Sequence, residues 1–168
     1  MSWESHYRRR DAIDAVLRHA EGHPHEGLAF AVIPQAREEF ADEQELLLAL
    51  HYKWTQILTG HLNVAFEDDS TEPVDAIGQA WRTAAARNPV LRGLLDAHLT
   101  TAQDPRLRAA RGQEQRMLAV SAGLAEPHEP DDELTKVGAA YAALLRRTPE
   151  RAGCHRPFAG LRKLVTSN

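Results

Sequence analysis

The chain has a single cysteine, Cys154, in 168 residues. That excludes an intramolecular disulfide and suits a reducing compartment. Long apolar runs are missing as well: stretches such as Leu28 to Ile33 and Leu46 to Leu50 fall far short of the roughly 20 residues that span a bilayer. The opening stretch, MSWESHYRRR, carries charge but no apolar segment of the kind a secretory signal needs. A soluble, cytoplasmic protein without a membrane partner is expected. Valine and isoleucine are few, and no segment alternates apolar with polar residues, which disfavours sheet. Basic residues are not in excess, the formal charge being −4, so the chain is not built to coat nucleic acid. It also lacks a phosphate-cradling glycine loop, a Gly-x-Ser-x-Gly elbow and an HExxH helix. No cofactor is implied, and the sequence reads as a non-enzyme.

What is present favours helix. Alanine, leucine, glutamate and arginine dominate, 43% of residues are hydrophobic, and apolar positions recur at three and four. The clearest element is Asp42 to Phe66. Asp42 is placed to cap its first turn, with Glu45 reaching back to the Asp42 amide. Leu47, Leu50, Trp54, Ile57, His61 and Val64 then form a stripe with a 3-4-3-4-3 spacing. At about 1.5 Å per residue this helix is roughly 36 Å long, the width of a small domain. The expectation is an all-α, single-domain helical bundle of about six helices around this central one. The bundle occupies residues 1–148 and a basic C-terminal tail occupies 149–168.

Around it, a first helix is expected from Glu4 to Ala20, with Glu4–Arg8 and Asp14–Arg18 at i, i+4 spacing. A short helix follows Pro34. Later helices carry Val74, Ile77, Trp81 and Ala84; Leu91, Leu94, Leu95, His98 and Leu99; Leu107, Ala110, Met117, Leu118, Ser121 and Leu124; and Leu134, Val137, Gly138, Tyr141, Leu144 and Leu145. Asp131 or Asp132 is expected to cap the last of these. Its run of small residues lets a neighbouring helix come close, from the same chain or from a second copy. Residues 67 to 75 are acidic, whereas Arg146, Arg147, Arg151, Arg156, Arg162 and Lys163 face only Glu150 at the C-terminal end.

His51 and His61 bracket Trp54 on the central helix and are expected to flank a pocket. Leu58, Trp81, His98 and Met117 are added to its lining, and a small apolar ligand is the expected partner. His19, His23 and His25 cluster after the first helix, but Pro24 is expected to keep His19 and His23 off one face, so no metal site is assigned. Glu-x-x-His pairs of the di-iron kind are absent from the expected helices. A metal-dependent enzyme using His51, His61 and His98 is the last-ranked alternative.

Taken together, YRRRDAIDAVL and VIPQAREEFADEQELLLAL resemble the N-terminal region of TetR-type transcriptional repressors. Phe40, Asp42, Glu45, Leu46, Leu47 and Leu50 match the end of that pattern, and the helical remainder is similar to a ligand-binding and dimerisation domain. The resemblance implies a homodimeric regulator with a ligand pocket. It also implies a DNA-binding alternative, with Arg8, Arg9 and Arg10 near the duplex. The helix-turn-helix is incomplete: EGHPHEGLAFAVI is short by about a helix, and Glu38 and Glu39 stand where phosphate contact wants bases. Arg8, Arg9 and Arg10 equally suit a solvated face paired with nearby acids.

Overall fold

Proline sets where most of the helices begin. Pro34, Pro73, Pro89 and Pro105 each occupy the start of a helix, where the missing amide hydrogen has no intrahelical acceptor to lose and the fixed φ suits the turn. The computed structural model describes residues 3–24, 26–67, 71–100 and 102–147. Among these it holds seven α-helices and no strand: α1 (Trp3–Gly22), α2 (Pro34–Glu39), α3 (Glu43–Ala65), α4 (Pro73–Arg87), α5 (Pro89–Leu99), α6 (Pro105–Ser121) and α7 (Asp131–Arg147), with a 3-10 turn at Phe30–Val32. The tail from residue 148 onward, with Cys154, lies outside the described residues, as do His25 and residues 68 to 70 of the acidic loop.

The bundle is organised around α3, which packs against α1, α4, α5 and α6, while α7 lies on α6 and α4. Leu46, Leu50, Trp54 and Leu58 of α3 are fully buried and meet Val16, Ile77, Leu95 and Leu118 from the surrounding helices. None of the described helices is long and apolar enough to cross a membrane.

The cap at Asp42 is present, its carboxylate accepting the Glu45 amide at 2.7 Å. Glu45 does not close the expected box with Asp42. It accepts the Ala41 amide at 2.9 Å instead, and its other oxygen takes Arg9. The Ala41 hydrogen bond, then that from Arg9, holds the Glu45 carboxyl below the ordinary range. Asp42→Ala should cost about 1 kcal/mol in urea unfolding, and Asp42→Gly only a few tenths, because glycine suits the cap backbone.

Several local expectations yield to tertiary packing. Arg8 pairs with Glu39 rather than Glu4, and Asp14 takes Lys53 of α3, leaving Arg18 to donate to the Asp14 carbonyl. α7 begins at Asp131, with the Pro130 carbonyl accepting the Glu133 and Leu134 amides, so Asp131 and Asp132 sit in the first turn and not at the cap. Val64 and Leu144, expected inside, are 67% and 59% exposed, and Leu124 lies beyond the end of α6 on the surface. The buried line of α3 continues from Trp54 to Leu58 and Leu62 instead of through His61 and Val64, because its neighbours cover that side.

Candidate functional site

Where α3 to α6 meet, the apolar core is interrupted by charge. Glu114 of α6 is 5% exposed. One of its oxygens accepts the Trp54 indole N–H at 2.9 Å and Arg92 Nη1 at 3.4 Å. The other accepts His51 Nε2–H at 2.9 Å. Arg92 of α5 lies over the Trp54 ring, its Cζ 4.8 Å from the centroid, and Trp81 of α4 stands edge-on to Trp54 at 6.0 Å. Arg92 Nη2 also donates to Asp96 at 2.9 Å, and Asp96 takes Arg146 of α7 at 2.8 Å.

Burial alone would raise the Glu114 carboxyl. The hydrogen bond from His51, the Arg92 charge and the Trp54 N–H together outweigh it and hold the group below its ordinary 4.5. A buried carboxylate that accepts three donors has little left for a substrate. The cluster links side chains of five helices, α3 to α7, in one polar network.

Of the residues expected to share one pocket, His51, Trp54 and Trp81 come together around Glu114 and Arg92, and a hollow of about 270 Å³ lies beside Trp81 and Arg92, bounded also by Asp96, Leu145 and Arg146. Leu58 is core, and Met117 packs against the core from its edge. His98 lies at the end of α5, its ring 3.6 Å from where a side chain at Gly27 would begin. His61 lines a separate groove, so His51, His61 and His98 form no common ligand set among the described residues. Glu114 and Arg92 were missed because charge argues for solvent. Spacing offered the signal: Glu114 falls four residues after Ala110 and four before Leu118, on the apolar stripe of α6.

The second feature is that groove, about 730 Å³, between the C-terminal half of α3 and α4. Ile57, Val64, Ala76 and Ala80 supply apolar wall, Gln56, Gln79 and Thr83 add neutral polar groups, His61 and Arg87 supply the basic groups, and among the described residues no carboxylate lines it. Arg87 has no ion-pair partner among the described residues.

No family model, curated protein or solved structure matches this chain. The three arginines of α1 bear on the DNA reading: Arg8 is bonded to Glu39, Arg9 to Glu45 and stacked over Phe40, and Arg10 lies near Asp11 and over Tyr7. Contact with phosphate would have to break these pairs. Between α1 and α3 the described residues contain one six-residue α-helix and one 3-10 turn.

Proposed function

We propose that this is a non-enzymatic small-ligand-binding protein, similar in role to the ligand-binding part of a TetR-type regulator, whose site is the groove between α3 and α4. The observation that carries the reading is the lining: an apolar wall with Arg87 and His61 and, among the described residues, no opposing acid, in a volume suited to a small organic molecule. That chemistry fits an apolar body ending in a carboxylate. The groove is larger than the hollow of about 270 Å³ beside Trp81 and Arg92, which supports placing the ligand here. An enzyme or a DNA-binding repressor draws less support, since the buried carboxylate is saturated and the α1 arginines are paired.

Titration calorimetry with dodecanoate and with dodecanol tests this. A Cβ at Gly60 meets nothing within 4 Å, so Gly60→Phe can fill the groove without a clash against the core. Dodecanoate should bind at one site per chain, and Gly60→Phe should abolish binding. Arg87→Gln should weaken the carboxylate about tenfold, the worth of one charge-assisted hydrogen bond, while leaving dodecanol within about twofold. A second copy of the chain seated over Val64 and Phe66 is the competing occupant. A dimer mass in light scattering that collapses to monomer in Gly60→Phe, with no dodecanoate binding to the native protein, would overturn the ligand reading.

A further inference from the structure

The end of α1 brings together side chains that the groove does not use. α1 continues to Gly22, and the His23 amide still donates to the His19 carbonyl at 2.9 Å, so the break at Pro24 comes too late to separate the two histidines. Their rings stack at 4.4 Å with 15° between planes. The Glu26 amide donates to the His23 carbonyl at 3.1 Å, and this turn carries the Glu26 carboxylate back to His19 Nε2 at 2.9 Å. One ring nitrogen from each histidine and one Glu26 oxygen lie within 4.8 Å of one another, a grouping of metal-ligating atoms unique among the described residues.

We propose that His19, His23 and Glu26 form a surface site for a divalent ion of the zinc class. Two imidazoles and one carboxylate are a ligand set that such ions accept, with water completing the tetrahedron. The supporting hydrogen bonds point the same way. A carbonyl only accepts, so His23 Nδ1 carries the proton it donates to the His19 carbonyl at 3.1 Å, and the His23 lone pair sits on Nε2. His19 Nε2–H donates to Glu26 in the metal-free state. The ion takes that proton's place between them, and the proton moves to His19 Nδ1, so no net charge leaves the imidazole. The ion would pin the turn to the last turn of α1. That turn leads into Gly27, at φ +68 with the His98 ring behind it, and then into Leu28, which is buried in the core.

Zinc titration of the full chain, by calorimetry and by thermal melting, tests the site independently of the groove. One Zn²⁺ per chain should bind and raise the melting temperature. His19→Ala and His23→Ala should each weaken binding more than the roughly 100-fold that loss of a supporting hydrogen bond can cost. Glu26→Gln should weaken it about tenfold, and His128→Ala should change nothing. Cobalt absorption in the same variants reports ligand loss even if a melting shift is small, and far-UV circular dichroism confirms that each variant is folded. Absence of one-to-one binding in the native chain overturns the assignment, as does one-to-one binding that survives both histidine replacements or is lost in His25→Ala alone.

Discussion

Gly138→Ala is expected to destabilise the protein by about 3 kcal/mol or more, at the upper end of what overpacking costs. α6 and α7 make the most extensive helix contact in the bundle, and they approach at this residue. A Cβ at position 138 would lie 1.8 Å from the Gln115 carbonyl oxygen and 2.4 Å from its carbon. Both are backbone atoms, so no rotamer change relieves the clash and the helices must separate. Gln115 and its neighbour Glu114 are buried, which means that separation also strains the polar cluster. For a chain of this size the loss corresponds to a fall of roughly 6–12 °C in melting temperature. Gly93→Ala is the control: its Cβ meets nothing within 4 Å, and alanine in a helix should gain about 0.5–1 kcal/mol. Equal melting temperatures for Gly138→Ala and the native protein would refute the close approach.

Removing the acid at the centre should have an effect of similar size. Glu114→Ala leaves Arg92 buried beside Trp54, with Asp96 as its remaining carboxylate, and strips His51 and Trp54 of their acceptor. Breaking a buried pair from one side typically costs about 3–5 kcal/mol. Glu114→Gln keeps the volume and an acceptor and should cost about 1–3 kcal/mol. The pH dependence separates charge from shape. The folded carboxyl lies below its ordinary 4.5, so the unfolded chain binds the proton more readily. The stabilisation is therefore fully present above about pH 4.5 and is lost as pH falls through the folded value. The stability gap between the native protein and Glu114→Gln should be constant near neutrality and narrow in acid. Parallel curves down to pH 3 would mean that the Glu114 charge contributes nothing.

These two positions show why part of the molecule could not be read from its residues. Gly138 was visible as one of a run of small residues in a helix, but whether α6 or a second copy approached there depends on chain connections that no local pattern encodes. Glu114 occupies an apolar stripe by spacing and a solvent position by charge. Only the presence of His51, Trp54 and Arg92 from two other helices makes burial tolerable, and those partners lie 22 to 63 residues away. His61 shows the reverse: the expected stripe carried it inward, whereas the covering helices select Leu58 and Leu62 and leave His61 on the groove.

By itself the sequence determined the helical class, the long central helix, its cap at Asp42 and the short helix opened by Pro34, because each follows from interactions within a few residues. Tertiary structure alone decided which charges are buried, which helix Gly138 meets, where the groove opens, and that His19, His23 and Glu26 converge. Each of those depends on how rigid helices are placed against one another or how a turn folds back, and the spacing of residues along one helix carries no information about either.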